Sequence, residues 1–306
     1  MNNARQILLG LLGCTVLAGM TACSGDNDMT LPIDDGVKVR RLTITQTDDN
    51  TETRATLTDG DDGLTAKWTA GDALTYCNLS RTQQGDGVTP YSGELTAAST
   101  SVVSQFTGNV LCGKDDYLAV VYPATTFTAS DNTFSYTLQL TGQDGTLATL
   151  ATRYHYVFGK ARVTAVTDKT ADATIGRMKS LLTVCKFSFV DKSNDAAIPI
   201  KTLTVSYGGS NSDAGKYPQT ATVSCDKNMA QDDVHATGAT ATGPLTVTCT
   251  TAQEAVYVAL LPTSAQRTFS FTVTDGSGNT YSGTAKAKLT EGDYVVATGL
   301  KLTQNE

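Results

Sequence analysis

Residues 268–289 read TFSFTVTDGSGNTYSGTAKAKL, and this stretch decides the fold class. On both sides of Asp275–Asn279, β-branched and aromatic residues alternate with small or polar ones. Such alternation suits a strand with one buried face, while Gly and Asn permit a tight reversal of the chain. The stretch therefore predicts a hairpin of two antiparallel strands, Thr268–Thr274 and Tyr281–Leu289.

Strands of the same kind are predicted at about every ten to fifteen residues from Val37–Gln46 onward. In that first strand, Val39, Leu42 and Ile44 are the apolar residues among Arg, Thr and Gln. A weaker, polar stretch near residue 172 marks a domain boundary. The sequence thus predicts an all-β protein with two β-sandwich domains in tandem, which are residues 37–172 and residues 173–306.

The composition limits the functions that are open to the chain. Of its 306 residues, 40% are hydrophobic and 17% are charged, and the formal net charge is −7. The phosphate backbone of a nucleic acid attracts a basic surface, so no nucleic-acid partner is expected. With two histidines in the whole chain, a multi-histidine metal site is not expected either.

The N-terminus predicts export and a lipid anchor. Ile7–Leu17 is an apolar run of the length found in secretory signal peptides, and it is too short to span a bilayer. Met20–Cys23 (MTAC) resembles a bacterial lipobox, in which the cysteine is acylated. We predict a lipoprotein signal peptide over residues 1–22, an acylated Cys23 and a flexible acidic tether over residues 23–36, which favours display on the outer membrane surface. An ordinary signal peptide with an incidental Cys23 is the alternative.

Five cysteines remain after the signal peptide and Cys23 are set aside, and an odd number cannot all pair internally. No spacing typical of zinc sites is present. Cys77 and Cys185 lie in apolar strands and are interpreted as small buried residues. The sequence does not decide whether Cys225 and Cys249 form a disulfide. The five are Cys77, Cys112, Cys185, Cys225 and Cys249.

Residues capable of catalysis or metal binding occur in isolated groups. They are Asp59, Asp61 and Asp62; Asp115 and Asp116; His155; Asp232 and Asp233; and His235. The first group lacks the closing Glu of an EF-hand loop, so a solvated turn is expected, and the other Asp pairs are also interpreted as solvated loops. His155 is placed on a strand, and no nucleophile elbow accompanies it. We therefore predict no enzyme activity, catalytic residue, metal or cofactor.

Aromatic residues bear on glycan binding, because sugar sites use exposed flat rings. Trp68, the only tryptophan, is interpreted as a core residue before a turn. Four tyrosines are candidates for exposure but form no visible cluster. They are Tyr91, Tyr207, Tyr217 and Tyr281.

An ordered set of short motifs follows the lipobox. The motifs are Thr53–Thr56, Trp68-x-x-Gly71-Asp72, Phe106-x-Gly108, Tyr117–Pro123, Met178–Phe187, Val256–Pro262 and Leu289-x-x-Gly292-Asp293-Tyr294. This set resembles the fimbrillin family, the type V pilus subunits of Gram-negative gut and oral bacteria, over about residues 37–302.

The resemblance implies two transthyretin-like β-sandwich domains in a lipoprotein precursor that has no catalytic activity. In that family, an arginine-specific surface protease removes the lipidated segment together with the first strand. A strand of another subunit then fills the exposed groove, which is donor-strand exchange. The partners implied are other pilus subunits, in a homopolymer or heteropolymer, and the membrane through the lipid anchor.

Carried onto this sequence, the resemblance makes Cys23 the acylated (palmitate-bearing) residue and places cleavage between Arg54 and Ala55. Arg41 is a second, weaker candidate, because it lies within the first predicted strand. The sequence ends soon after the last strand, Tyr294–Leu302, which favours an anchor, tip or accessory subunit over a stalk subunit. The alternative function is a surface lipoprotein that binds glycan or a host ligand without polymerising.

Overall fold

A computed structural model describes residues 36–47, 56–61, 63–83, 89–210 and 212–306, all within the compact unit Asp35–Glu306. The predicted all-β class is confirmed. The strands of the first half are β1 (Lys38–Gln46), β2 (Thr56–Gly60), β3 (Gly63–Lys67), β4 (Ala73–Gln83), β5 (Thr89–Ala97), β6 (Gln105–Cys112), β7 (Tyr117–Tyr122), β8 (Thr128–Ser130), β9 (Thr133–Gln139), β10 (Val157–Val166), β11 (Thr170–Ile175) and β12 (Lys179–Ser180).

The second half continues the strand series. Its strands are β13 (Thr183–Asp191), β14 (Ile200–Tyr207), β15 (Thr220–Cys225), β16 (Ala236–Gly238), β17 (Leu245–Gln253), β18 (Val256–Leu260), β19 (Arg267–Asp275), β20 (Thr280–Ala287) and β21 (Tyr294–Gln304). Helical structure in the described residues is limited to α1 (Leu147–Thr149), a π turn (Leu150–Tyr154) and a 3-10 turn (Gln231–Asp233). The predicted hairpin is present as β19 and β20, whose ladder runs from Arg267–Ala287 to Thr274–Thr280.

The first large sheet has the order β11-β1-β6-β5-β4-β7-β10-β12, and a further pairing of β11 with β10 closes it on itself. Trp68 is fully buried inside, with the rings of Phe106 and Tyr122 edge-on at 5.0 Å and 5.5 Å. Its interpretation as a core residue is therefore confirmed. Gly108 lies where β6 and β5 approach closely, and a side chain there would collide with the carbonyl oxygen of Glu94.

The second large sheet has the order β17-β14-β19-β20-β21-β13-β18. Phe187, Phe189 and Phe271 pack together beneath it, with ring centroids 5.2–6.2 Å apart. Because the first large sheet uses strands up to Ser180 and the second uses strands from Thr183 onward, the structure has two β assemblies in tandem.

A third sheet joins the two halves. Its order is β16-β15-β9-β8, and β9 of the first half runs antiparallel to β15 of the second, with Gln139 opposite Thr220 and Phe134 opposite Cys225. The predicted boundary at residue 172 falls within β11, which is a strand of the first large sheet. The two halves therefore share main-chain hydrogen bonds as well as the connection between them.

Candidate functional site

The first strand, β1, lies inside the first sheet rather than at an edge. It runs antiparallel to β6 along Lys38–Thr45 and parallel to β11 along Arg41–Gln46. Both of its edges are therefore paired in β ladders. Withdrawal of β1 would leave two open edges, on β6 and β11, and open edges readily pair with another strand.

The inward face of β1 contributes to the core of the first sheet. Leu42 and Ile44 are fully buried and belong to the same apolar cluster as Trp68. Burying two aliphatic side chains of this size stabilises the strand by about 1.5–3 kcal/mol each. The slot that β1 occupies is accordingly apolar at its centre.

Polar side chains at the two ends of the slot form hydrogen bonds. The buried guanidinium of Arg40 donates to the carbonyl oxygens of Thr167, at 2.6 Å, and Cys112. At the other end, Trp68 Nε1 donates to Gln46 Oε1 at 3.2 Å. The strand is therefore held at each end by hydrogen bonds and at its centre by apolar contacts.

The three apolar residues of β1 do not share one face. Leu42 and Ile44 are buried, whereas Val39 is 64% exposed. Successive side chains of a strand point to opposite faces, so the even-numbered residues share the inward face. Arg40 takes the inward position instead, since its guanidinium finds carbonyl partners there.

The predicted processing residues lie mostly outside the described part of the chain. Cys23, Arg54 and Ala55 lie outside the described residues, as do the signal peptide and all of the tether before Gly36. The described residues on either side of the Arg54 segment are Thr47, which follows β1, and Thr56, which opens β2.

Arg41, the second cleavage candidate, is described. Its side chain is exposed, but its backbone lies in the middle of β1, opposite Asn109 on one side and Thr170 on the other. Its N–H also donates to the carbonyl oxygen of Lys169 at 2.9 Å. A protease that binds its substrate as an extended strand needs those same main-chain groups, so the pairing disfavours Arg41 in the folded protein.

The hairpin of β2 and β3 follows the Arg54 segment directly, and Asp59 fastens it to the second half of the chain. The carboxylate of Asp59 accepts from Lys186 Nζ at 2.6 Å, Tyr257 OH at 2.7 Å and Tyr294 OH at 2.9 Å. These partners come from β13, β18 and β21. Leu57 of the same hairpin packs into the larger apolar core.

The solvated-turn interpretation of this acidic group is wrong for Asp59. Its side chain is 20% exposed, and the hydrogen bonds from Lys186 and Tyr257 hold its pKa below the ordinary value of 3.8. Asp61 is exposed in the turn, as expected, and Asp62 lies outside the described residues. Sequence reasoning missed the partners of Asp59 because they lie more than a hundred residues away along the chain.

A second correction concerns Asp116. Asp115 is exposed and pairs with Arg162 at 2.9 Å, as a solvated loop residue would. Asp116 is buried and accepts from Arg81 Nε and Asn78 Nδ2 at 2.8 Å and 2.9 Å. It ties β4 to the loop before β7, which is a structural role.

The two histidines take different positions. His155 follows the π turn and is buried, so its placement on a strand is wrong, because β10 begins at Val157. His235 is exposed, and its Nδ1 lies 3.0 Å from Glu291 Oε2, which also accepts from Lys179 at 2.9 Å. Asp232 and Asp233 are exposed, as predicted; they are residues of the 3-10 turn.

Across the described residues, no three His, Cys, Asp or Glu side chains come together as metal ligands would. In the part of the chain that the structure describes, no helix has the length and apolar character needed to span a bilayer. The site consists instead of a strand, the slot that holds it and the segment that follows it.

The five described cysteines are free and buried. The Cys225–Cys249 disulfide that the sequence left open is therefore not formed, and the interpretation of Cys77 and Cys185 as small buried residues is confirmed. Burial raises the pKa of the Cys112 thiol to about 11 and that of Cys225 to about 12.

The tyrosines considered for glycan binding form no exposed platform. Tyr207, Tyr217 and Tyr281 are buried, with 7%, 0% and 9% exposure, and Tyr91 is partly buried. Tyr217 packs against Tyr207 at 5.1 Å, and its buried hydroxyl oxygen accepts from the N–H of Leu261 at 2.8 Å.

No protein-family model and no curated protein matches this chain in sequence. Similarity is found in solved structures. A protein of Bacteroides uniformis, described as a "putative cell adhesion protein", matches 87% of this chain and 96% of its own with a TM-score of 0.52 and 15% identity. A protein of Bacteroides ovatus with the same description matches 88% of this chain and 96% of its own, at 12% identity and a TM-score of 0.49.

The shaft pilin SpaA of Lactobacillus rhamnosus matches 88% of this chain and 99% of its own, at 9% identity and a TM-score of 0.34. At these identities, structural similarity is evidence about the fold alone. Of these three matches, the one to the Bacteroides uniformis protein has a TM-score above 0.5, so the conclusion about the fold rests on it. The chain shares its overall fold with the Bacteroides uniformis protein, and its two β assemblies agree with the tandem β architecture predicted from the sequence.

Proposed function

We propose that this protein is a structural subunit of a type V-like pilus on the bacterial surface, where it contributes to cell adhesion. It is exported as a lipoprotein and held in the outer membrane through Cys23. Cleavage between Arg54 and Ala55 releases the segment that contains β1. A strand of another pilus subunit then enters the slot, so that subunits join by donor-strand exchange.

One observation carries the proposal. β1 is paired along both edges, and the segment that connects it to the rest of the protein contains Arg54. A single cut there separates β1 from the rest of the protein. The cut would leave an apolar slot between β6 and β11, which offers main-chain groups for pairing and a core to refill.

Asp59 supports the same scheme from the other side of the cut. Because its carboxylate binds Lys186, Tyr257 and Tyr294, the β2–β3 hairpin has its own attachment to the second half. Cleavage before Thr56 would therefore release β1 and leave the hairpin in place. The new N-terminus at Ala55 would directly precede a fixed strand.

The adhesion role is supported by the Bacteroides uniformis protein, whose description names cell adhesion and whose fold is shared. The rival function, a non-polymerising receptor for glycan, has less support because Tyr207, Tyr217 and Tyr281 are buried. The place of the subunit within a fibre stays open among stalk, anchor, tip and accessory positions.

Limited digestion with an arginine-specific protease tests the proposal. We expect a single early cut that gives an N-terminus at Ala55, read by N-terminal sequencing and intact mass. Release of β1 should lower the unfolding midpoint, and a synthetic peptide of residues 37–47 should restore it. The variant Arg54→Gln should resist the cut, while the matched variant Arg41→Gln should be cut like the wild type.

Three results would count against the proposal. A first cut at Arg41, or at another site outside the Arg54 segment, would contradict the proposed cleavage between Arg54 and Ala55. An unchanged unfolding midpoint after β1 has dissociated would show that the slot does not need a strand. Recovery of the protein from its native cell surface with an intact, acylated Cys23 and no cleavage would indicate a permanent tether instead.

A further inference from the structure

The second large sheet contains a gap between two of its central strands. β20 and β21 pair at Tyr281–Gln304 and Ser282–Thr303, and their ladder then stops. Among the described residues, β20 continues to Ala287 with β19 as its ladder partner, and β21 begins at Tyr294 with β13 as its partner. Two strand edges therefore face each other across the gap.

A bulge in β21 explains why the strands diverge. Gly299 has φ +66°, a left-handed conformation that glycine adopts without a side-chain clash. The β13–β21 register shifts at this point, between Phe187 and Phe189, and the N–H of Gly299 donates to Ser188 Oγ at 2.9 Å. The bulge turns β21 toward β13 and away from β20, as bulges bend the strands that contain them.

An apolar cavity of about 220 Å³ lies in the gap. Ala285 and Ala287 of β20 form one wall, and Val295 and Ala297 of β21 form the other. These side chains are small and partly exposed rather than closed off in the core. The outer face of β21 beside the gap carries Val296, which is 55% exposed and is one of three large apolar side chains exposed in the described residues.

The outer face of β20 is basic. Lys286 of β20 and Lys288, which follows the end of β20, are exposed, and no carboxylate of the described residues forms an ion pair with either. A strand added beside β20 would place its outward side chains next to these lysines, where opposite charges across neighbouring strands attract.

We propose that this gap, the β20–β21 slot, binds an extended segment of a partner protein in which small aliphatic residues alternate with acidic ones. The aliphatic side chains enter the cavity, and the acidic side chains lie beside Lys286 and Lys288. Main-chain groups on the facing edges of β20 and β21 complete the ladder, as in strand addition to an open sheet.

The β20–β21 slot is distinct from the slot of β1, and no strand of the described residues fills it. Binding there requires no cleavage at Arg54 and would give the protein a second strand-accepting site, on the opposite half of the chain from β1. Success or failure of this inference is therefore independent of the processing scheme.

The test uses uncleaved protein and a short, fluorescently labelled peptide in which valine alternates with glutamate. We expect saturable binding by fluorescence anisotropy, with slower amide exchange at residues 283–287 and 294–297 when the peptide is bound. The double variant Lys286→Glu, Lys288→Glu should weaken binding by about tenfold. The matched double variant Lys114→Glu, Lys169→Glu, at exposed lysines of the first half, should bind like the wild type.

A peptide in which valine alternates with lysine should show the reverse preference and favour the Lys286→Glu, Lys288→Glu variant. Equal binding of both peptides to the wild type would overturn the proposal. Full amide protection at residues 283–287 in the free protein would also overturn it, because the slot would then be closed. A dimer in sedimentation that the same variant dissociates would replace the proposed partner with a second copy of this chain.

Discussion

Replacing Ile44 with alanine tests whether β1 is a core strand of the first sheet. Ile44 is fully buried, opposite Phe106 on β6 and Ala173 on β11. The change removes three carbon atoms, which at about 0.8 kcal/mol per methylene is about 2.4 kcal/mol of transfer free energy. The cavity left behind adds about 1 kcal/mol. We therefore expect the free energy of unfolding to fall by about 3–4 kcal/mol.

Urea denaturation followed by the fluorescence of Trp68 measures this loss, because the single tryptophan lies in the same apolar cluster. Val39→Ala is the matched control in the same strand, since Val39 is 64% exposed, and its effect should stay within about 0.5 kcal/mol. An Ile44→Ala loss below about 1 kcal/mol would refute the assignment of β1 to the core. Equal losses in the two variants would refute it as well.

Three further predictions concern the surroundings of the site. The pKa of Asp59 is lowered in the folded state, so its contribution to stability is present above the ordinary pKa of 3.8 and is lost as the pH falls through the lowered value. Amide protection of β2 and β3 should therefore decline as the pH is taken below 3.8, and Asp59→Asn should lower that protection at neutral pH and remove the decline. Arg40→Met removes the donor to the carbonyl oxygens of Thr167 and Cys112 and should lower the free energy of unfolding in urea by about 2 kcal/mol, whereas an unchanged unfolding midpoint would show that water replaces the guanidinium. Because burial raises the pKa of Cys112 to about 11 and that of Cys225 to about 12, the native thiols should react with a thiol reagent only after unfolding, and rapid labelling of folded protein at neutral pH would contradict their burial.

Local patterns were enough to predict the elements that have the clearest alternation. The β19–β20 hairpin follows from the Gly- and Asn-containing turn at Asp275–Asn279, and the structure places the reversal there. Trp68 was assigned to the core because it lies just before the turn at Gly71 and Asp72, and it is fully buried. In these cases the information lies within a few residues of the element.

The interpretation of charged residues was less accurate, since their environment depends on distant parts of the chain. Asp59 and Asp116 look like solvated loop residues in sequence, but both accept hydrogen bonds from side chains on other strands. Arg40 is buried for a similar reason, because two carbonyl oxygens at the end of the sheet face it. The side-chain partners of Asp59 and Asp116, and the Thr167 and Cys112 partners of Arg40, lie 35 or more residues away along the chain.

The amino-acid sequence by itself determined the all-β class and the β19–β20 hairpin, because alternation and turn residues act over short distances. It also carries the lipobox at Cys23 and the Arg54 segment, which remain predictions. Tertiary structure alone decided that β1 lies between β6 and β11, that Asp59 fixes the hairpin after the Arg54 segment, and that β20 and β21 diverge. The physical reason is that strand pairing and burial join residues far apart in the chain, and only the folded arrangement establishes which edges are paired and which stay open.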